Sequence, residues 1–421
     1  MIHGRIFILF PIIGLLSACG GSSMQAPVPV PSPPAPSVLQ EPTVINLYPD
    51  GSASDGTRLF VFVAAVGSVT FPAPLPLAFD TGSSGMTLFA PNAFPGMATA
   101  CGVDMPSGCG FTFPPGQHSI TFDNVTVTDV QATRCYGGAS GHAQTGNIGY
   151  ATVTFGDAAG VLTTSSMPIL FYYKITANSA NPSQCDDSGA VVNVPPQQGW
   201  FGVNTQADGV VVDGVLATTS SAPCSNGVAA TCFVASVFDY LQFANGMDAG
   251  FLLTHRTLQN CEINSGTCAP APMLTLGLTP AQTAGFGSIM LSCSSTPTIQ
   301  GFPNCNANIA DSLITVSAGG SNATTYSGAS VLFDSGTPSM ILAPPAGVTF
   351  PTAAGTDVVA ANENVLISLP NGYDFSYFAA LNGVDETVIN TTGAGRNVVG
   401  IDFFQSHDFY IDYTVRTEGW L

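Results

Sequence analysis

The chain has 421 residues, of which 45% are hydrophobic and 8% are charged, and its 26 acidic and 7 basic side chains give a formal net charge of -19. The plentiful apolar residues exclude a disordered chain, and the lack of clustered Lys and Arg excludes nucleic acid and an anionic membrane surface as partners of the folded part. The 46 Gly and 32 Pro residues predict many short strands joined by turns.

The first predicted element is a secretory signal peptide at residues 1–19. Arg5 precedes an apolar run, residues 6–16, which is too short to span a membrane permanently and is followed by small residues. Residues 16–19 resemble the lipobox of bacterial lipoproteins, which implies that Cys19 is acylated and anchors the chain to a membrane. Glycine rather than aspartate follows, which favours an outer-membrane anchor in the cell envelope, facing the periplasm or the surface. The alternative is a standard signal peptide with an incidental cysteine.

A proline-rich linker is predicted over residues 20–45. Its composition favours extended polyproline II, which would hold the folded part tens of ångströms from the lipid at about 3.1 Å per residue. Plain disorder would serve the same tethering role.

The cysteines indicate an oxidising compartment. The chain has 11, and setting Cys19 aside leaves an even number, as a set of disulfides requires. Local bridges between neighbouring cysteines are the simplest connectivity, although the sequence does not establish it. These couples are 101/109, 135/185, 224/232, 261/268 and 293/305. The 5 histidines are scattered and no Cys-x-x-Cys occurs, so we predict no metal site.

The most informative feature is an internal repeat at an offset of 254 residues. Residues 77–91 and residues 331–345 share Phe, Asp, Gly, Met, Leu and Pro, with Thr and Ser exchanged beside the Asp. Each copy is an apolar strand, a tight turn that begins with Asp80 or Asp334, and a second apolar strand. A third Asp-Ser-Gly, residues 187–189, follows no apolar strand and is interpreted as a surface turn.

A repeated Asp turn has a chemical use when the two copies meet. Two carboxylates held close together cannot both ionise readily, so they share a proton and titrate as a coupled pair. One can act as base on a water while the other protonates the carbonyl oxygen of a peptide bond. The alternative is that Asp80 and Asp334 only stabilise two turns between strands.

The repeat resembles the two signatures of the pepsin family of aspartic peptidases, with residues 80–85 matching the first and residues 334–337 the second. The resemblance implies an all-β fold in which two related lobes of the six-stranded type flank a central cleft. It implies that Asp80 and Asp334 are the catalytic pair and that no cofactor is needed. The residues that it implies support the pair are Gly82 and Gly336 in the turns, Thr81 and Ser335 as a hydroxyl link between the lobes, and Ser83 and Thr337 as hydrogen-bond donors to the outer carboxylate oxygens.

Further segments resemble elements of the family in chain order. They are residues 59–63 as the strand before the first Asp strand, 136–138 as the tyrosine and turn of the flap, 147–156 as the return strand of the flap, 199–202 as the strand beneath the first Asp, 236–241 as a short helix, 272–277 as a strand near the lobe boundary, 398–404 as the second-lobe partner of 199–202, and 409–413 as one of the last strands. The resemblance therefore implies that Tyr136 and Gly137 cover bound substrate. A plain hairpin aromatic is the alternative for Tyr136.

Three departures from the family pattern matter. Thr87 stands where the family has a Trp that helps to orient the flap tyrosine. The stretch after Tyr136 is longer than usual and contains His142, which is interpreted as a solvated loop residue. Family zymogens place a Lys or Arg between the two acids, and residues 20–45 contain neither, so we expect activity without removal of a propeptide.

The sequence thus predicts a signal peptide at 1–19, a linker at 20–45, an N-terminal lobe at 46–277 and a C-terminal lobe at 278–421. We expect a monomeric aspartic endopeptidase that binds an extended polypeptide as an added strand and works at acidic pH. A Ser-His-Asp triad, a phosphate-binding loop and a glycosidase pair are poorly supported. Because fold does not decide function, the alternative is a catalytically silent, pepsin-fold binding or inhibitor-like surface lipoprotein.

Overall fold

A computed structural model gives the fold of the chain. It describes residues 35–52, 57–103, 108–136, 141–158, 160–177, 189–192, 198–206, 208–209, 211–212, 215–216, 233–234, 236–294, 304–318, 321–390 and 396–421. Within these residues, no helix has both the length and the apolar character needed to cross a membrane.

The described residues are almost entirely strands and turns. The strands are β1 (Val38–Leu39), β2 (Thr43–Asp50), β3 (Arg58–Val66), β4 (Val69–Asp80), β5 (Ser84–Phe89), β6 (Ala98–Thr99), β7 (Gly110–Phe111), β8 (Ser119–Phe122), β9 (Val125–Tyr136), β10 (His142–Ala151), β11 (Val153–Asp157), β12 (Gly160–Thr163), β13 (Met167–Ala177), β14 (Gly199–Val203), β15 (Asp208–Gly209), β16 (Val211–Val212), β17 (Val215–Leu216), β18 (Phe233–Val234), β19 (Gln242–Phe243), β20 (Asp248–Leu253), β21 (Ala271–Leu278), β22 (Gly287–Met290), β23 (Ser292–Cys293), β24 (Cys305–Asn306), β25 (Ile309–Ala318), β26 (Ser321–Phe333), β27 (Met340–Leu342), β28 (Asn364–Ser368), β29 (Asp374–Phe378), β30 (Thr387–Ile389), β31 (Asn397–Val399), β32 (Phe409–Asp412) and β33 (Thr417–Trp420). Short α-helices occupy Ala90–Ala93 and Pro280–Thr283, and 3-10 helices occupy Val237–Tyr240, Ile263–Ser265 and Phe403–Gln405. The prediction of an all-β chain is confirmed.

Side-chain alternation explains which strands are covered on one face and which on both. In β29, buried Phe375 and Tyr377 alternate with exposed neighbours, as expected for a strand with one face on the core. In β13, nearly every residue is buried because the strand lies between β5 and β10 and is covered on both faces. The apolar runs in the sequence therefore mark the strands nearest the centre of the fold.

The first copy of the repeat forms a three-strand arrangement around Asp80. Strand β14 lies between β4, to which it is parallel, and β5, to which it is antiparallel. Phe201 pairs with Phe79, and Gly202 pairs with Asp80. The chain that leaves the Asp turn is thus held by the strand inserted beside it.

The second copy repeats the arrangement around Asp334. Strand β31 is parallel to β26, with Val399 opposite Phe333, and antiparallel to β27, with Val398 opposite Ile341. These three strands belong to a seven-stranded sheet in the order β29-β28-β25-β26-β31-β27-β30. The sequence repeat therefore corresponds to a repeated structure.

A six-stranded antiparallel sheet connects the regions that carry the two copies. Its order is β2-β21-β20-β32-β33-β22, so it combines strands from both sides of residue 278. Strand β2 also continues into the sheet around Asp80 by pairing with β3. Residues 46–277 and 278–421 remain a prediction for the two lobes.

The predicted linker is too long at its C-terminal end. Strand β1 begins at Val38 and pairs with β19, and β2 begins at Thr43 and pairs with β21. Ile45 is fully buried. The apolar residues among the last prolines thus form strands, β1 in a two-stranded sheet with β19 and β2 beside β21. Residues 20–34 lie outside the described part of the chain.

Three of the five predicted disulfides are present among the described residues. They join Cys101 to Cys109, Cys261 to Cys268, and Cys293 to Cys305. Cys135 is also disulfide-bonded. Its predicted partner Cys185, together with Cys224 and Cys232, lies outside the described residues.

Candidate active site

The two repeated aspartates lie next to each other in the fold. Asp80 is the last residue of β4, and Asp334 follows directly after β26. The backbone N–H of Asp334 donates to the carbonyl of Val399 at 2.9 Å, so each acid is fixed by the strand inserted beside its own turn. Asp80 is only 3% exposed, and Asp334 is partly buried.

A symmetric set of four hydrogen bonds links the two turns. The hydroxyl of Thr81 donates to the carbonyl of Phe333 at 3.0 Å and accepts from the N–H of Ser335 at 2.9 Å. The hydroxyl of Ser335 donates to the carbonyl of Phe79 at 2.9 Å and accepts from the N–H of Thr81 at 3.1 Å. Both hydroxyls are buried, so water does not compete for these bonds. They make the predicted link between the two copies.

Each turn glycine lies against the carboxyl of the opposite acid. A Cβ added to Gly82 would overlap the carboxyl of Asp334, and one added to Gly336 would lie 2.7 Å from Cγ of Asp80. The N–H of each glycine also donates at 2.8 Å to Oδ1 of the acid in its own turn. Glycine is required here because only a residue without a side chain permits so close an approach.

Hydroxyl groups hold the outer oxygens of the two acids. Oδ2 of Asp80 accepts a hydrogen bond from Ser83, and Oδ2 of Asp334 accepts one from Thr337 at 2.7 Å. The pKa of Asp80 lies well above its ordinary value, first because burial disfavours the charged form, and then because of the charge of Asp334 and a hydrogen bond to it. The bonds from Ser83 and Gly82 partly oppose this increase in pKa. Asp80 is therefore suited to retain a proton beside Asp334.

The pair faces a pocket of about 270 Å³. The lining residues come from the two Asp turns, from β3, β14 and β27, and from the hairpin of β9 and β10. They are Arg58, Asp80, Tyr136, Gly141, His142, Trp200, Asp334, Gly336, Thr337, Pro338, Ser339 and Ile341. The carboxyls are thus accessible to a ligand rather than sealed in the core.

Arg58 places a positive charge beside the acids. Its Nε donates to the carbonyl of Gly336 at 2.9 Å, and its guanidinium lies 4.9 Å from the ring centroid of Trp200. Burial lowers the pKa of Arg58, and the charges of Asp80 and Asp334 oppose that shift. Because a guanidinium stays protonated, it favours the presence of at least one carboxylate in the pair.

Tyr136, the predicted flap residue, lines the pocket. It ends β9 and pairs with His142, the first residue of β10, in an antiparallel hairpin. The predicted return strand of the flap is two strands, β10 and β11, interrupted at Thr152. Gly137, the other predicted flap residue, and Cys19, the predicted lipidation site, lie outside the described residues, as do residues 187 and 188 of the third Asp-Ser-Gly.

The prediction that His142 is a solvated loop residue is wrong. It belongs to the hairpin, lines the pocket, and its ring stacks on Tyr136 at 5.6 Å between ring centroids. Burial first, and then the charge of Arg58, lower the pKa of His142 to about 4. The imidazole is therefore neutral above that pH, although it lies near the two acids.

One group of potential metal ligands occurs within the described residues, and it is better explained as a turn. Asp50, Cys261 and Cys268 lie together, but the two cysteines form a disulfide. The carboxylate of Asp50 accepts bonds from the N–H groups of Ser52 and Ile263. These contacts give Asp50 a structural role.

Comparisons with known proteins connect this geometry with a fold. No family model and no curated protein matches the sequence of the chain. Among solved structures, an aspartic proteinase from Irpex lacteus matches with a TM-score of 0.50 at 14% identity, covering 90% of this chain and 96% of that one. Basic 7S globulin from soybean matches with a TM-score of 0.45 at 14% identity, covering 91% and 96%. The chain has the pepsin-like, two-lobed all-β fold.

Sequence reasoning missed Arg58 and Trp200 as pocket residues. One signal was available for Arg58, because a chain with only 7 basic residues places one of them directly before the apolar run of β3. Trp200 was identified only as part of the strand beneath Asp80. Its contact with Tyr136 depends on how the hairpin folds over β14, which a local pattern does not reveal.

Proposed function

We propose that this chain is an aspartic endopeptidase that hydrolyses polypeptides at acidic pH with Asp80 and Asp334. The observation that supports this most strongly is the paired turn. The two carboxyls interact directly with each other. The hydroxyl and glycine contacts around them are the same in both turns, and the carboxyls face a pocket. A purely structural pair of Asp turns would need neither the pocket nor a buried carboxyl whose pKa is raised by its partner.

In the proposed reaction, Asp80 and Asp334 share one proton. The ionised carboxylate removes a proton from a water molecule, whose oxygen attacks the peptide carbonyl carbon while the protonated carboxyl donates to the carbonyl oxygen. The resulting tetrahedral intermediate then breaks its C–N bond. The leaving nitrogen takes up the proton that the first carboxylate removed from water, and one hydroxyl of the intermediate gives its proton back to the other carboxylate as the new carboxylic acid forms. Water is thus divided between the two products, and the pair returns to its singly protonated state.

The fold supports an extended polypeptide as the substrate. Tyr136 and His142 of the β9–β10 hairpin line the pocket together with Pro338 and Ile341. A peptide in extended form would lie between them and bond to the hairpin backbone as an added strand. The two copies of the Asp turn occur in one chain, so a monomer provides a complete pair.

The proposed activity is tested by cleavage of a denatured protein substrate between pH 3 and pH 5, with and without a pepstatin-type inhibitor. We expect inhibitor-sensitive cleavage that is lost in Asp80→Asn and in Asp334→Asn, because an amide at either position prevents the shared protonation. A matched control is Asp187→Asn, which alters the third Asp-Ser-Gly and should retain activity. A folded wild-type protein that binds peptide without cleaving it would instead support a catalytically silent binding protein.

We propose in addition that the protein is a lipoprotein of the cell envelope, anchored to the outer membrane through Cys19. The lipobox-like residues 16–19 motivate this, and the disulfides among the described residues are compatible with an oxidising compartment. Metabolic labelling with a palmitate analogue should mark the wild-type chain and leave Cys19→Ser unlabelled. Labelling that persists in Cys19→Ser would contradict the anchor.

A further inference from the structure

The ring of Tyr136 is stacked on the ring of Trp200. Their centroids lie 4.7 Å apart and their planes are inclined by 14°. Trp200 is only 3% exposed, and it lies in β14, two residues before Gly202, which pairs with Asp80. The stack therefore connects the end of the flap strand to the strand that fixes the first acid.

Trp200 lies beside Thr87, the position at which the family pattern has a Trp. In the antiparallel pairing of β5 and β14, Thr87 is directly opposite Trp200, and the hydroxyl of Thr87 accepts from the backbone N–H of Trp200 at 3.2 Å. Directly opposed residues of neighbouring strands point to the same face of a sheet. Trp200 therefore lies on the same face as Thr87, and its ring contacts Tyr136.

Two guanidinium groups flank the stacked rings. Arg58 lies 4.9 Å from the centroid of Trp200, and Arg134 lies 5.1 Å from that of Tyr136. The chain has only 7 basic side chains, and two of them are placed here. Cations over aromatic faces stabilise the rings in place, most strongly where water is excluded. Arg58 also bonds to Gly336, so the group extends from the flap to the second Asp turn.

We infer that Trp200 is a positioning residue, which holds Tyr136 in the orientation that covers substrate over the aspartate pair. The inference rests on the proposed peptidase function and adds a residue through which the flap is aligned. Trp200 acts through Tyr136 rather than on the reacting atoms. Its removal should therefore weaken the hold on substrate without altering the acids themselves.

The kinetic test compares Trp200→Leu, Trp200→Phe and the wild-type protein, with active sites counted by titration with a tight pepstatin-type inhibitor. We expect Trp200→Leu to lower kcat/KM about 5- to 20-fold, mainly through KM, because the stack on Tyr136 is lost. Trp200→Phe keeps a ring in place and should recover most of that loss. The matched control is Phe375→Leu, in β29, packed in the core and outside the pocket lining, which should lower the melting temperature and leave KM unchanged.

A second measurement uses the wild-type side chain and does not depend on the folding of Trp200→Leu. The chain has only 2 Trp residues, and Trp420 is fully buried in the core. A change in tryptophan fluorescence when a ligand binds in the pocket can therefore be assigned to Trp200. We expect a pepstatin-type inhibitor to change that emission, and Tyr136→Leu to shift the free protein's emission to longer wavelength. Both responses should disappear in Trp200→Phe.

The outcomes separate this inference from the proposed function. An active wild-type enzyme with unchanged KM in a folded Trp200→Leu would overturn the role of Trp200 alone. Emission that responds neither to inhibitor nor to Tyr136→Leu would overturn it as well, whatever the folding of the variants. A folded wild-type protein that cleaves no peptide at any acidic pH would overturn the peptidase assignment and with it the role of Trp200.

Discussion

Thr81 and Ser335 exchange the same pair of hydrogen bonds across the centre of the molecule. Each hydroxyl accepts a hydrogen bond from the backbone N–H of the other residue. Each also donates one to the carbonyl that lies two residues before that other residue, Phe333 for Thr81 and Phe79 for Ser335. Because all four bonds are buried, loss of one hydroxyl leaves backbone groups of the opposite turn without a partner. The pairing therefore couples the stability of the fold to the alignment of the acids.

Replacing Thr81 with Val should destabilise the protein by about 2 to 4 kcal/mol, because the N–H of Ser335 and the carbonyl of Phe333 lose the hydroxyl that bonds to both. Thr81→Ser keeps the hydroxyl and is the matched control. Urea unfolding followed by circular dichroism measures the difference. Equal stability of the Val and Ser variants would contradict a structural role for this hydroxyl.

The repeat made the aspartate pair predictable. A tight Asp turn between apolar strands is visible in the sequence as a short local pattern, and a site built from two such turns requires that pattern to occur twice. The link between Thr81 and Ser335 was predicted from the resemblance to the pepsin family, which the repeat made visible. Arg58, Trp200 and His142 meet only through the tertiary fold, from elements far apart in sequence and without a repeat. The start of β1 was missed because prolines on both sides of Val38 obscured its apolar signal, although Pro is tolerated beside strand ends.

Gly336→Ala should lower kcat/KM at least about 100-fold, because the new Cβ would lie 2.7 Å from Cγ of Asp80 and would displace one acid from the other. Gly102→Ala is the control, since no heavy atom lies within 4 Å of a Cβ built there. Peptide cleavage kinetics and a melting curve are measured for both variants. Wild-type activity in Gly336→Ala would mean that the two carboxyls need not be in close contact for catalysis.

Ser83→Ala should move the pH profile of kcat/KM to higher pH. The hydrogen bond from Ser83 stabilises the charged form of Asp80 and lowers its pKa, so its removal lets the carboxyl keep its proton to higher pH. Ser83→Thr retains the hydroxyl, as Thr337 does in the other turn, and should follow the wild-type profile. A shift of the Ser83→Ala profile to lower pH would contradict this effect of the hydroxyl on the Asp80 pKa.

Buried acids away from the pair should make the fold more stable in acid than at neutral pH. Burial raises the pKa of Asp239, in the 3-10 helix Val237–Tyr240, from 3.8 to about 7, and raises the pKa of Glu418 well above its ordinary value. Between pH 4 and pH 7 the folded chain then binds more protons at these sites than the unfolded chain does. The free energy of unfolding therefore decreases as the pH rises through this window.

Asp239→Asn isolates one such contribution, because the amide is similar in shape and does not ionise. At pH 7.5 the variant should be more stable than the wild-type protein by on the order of 2 to 4 kcal/mol. The wild-type protein must either bury the charged carboxylate of Asp239 or keep it protonated at a pH where the unfolded chain is ionised. At pH 4 the two proteins should have nearly equal free energies of unfolding. Asp374→Asn, at an exposed position of β29, should change stability little at either pH. Urea unfolding at the two pH values measures all three proteins, and a stability difference that is the same at pH 4 and pH 7.5 would rule out titration of Asp239 as its cause.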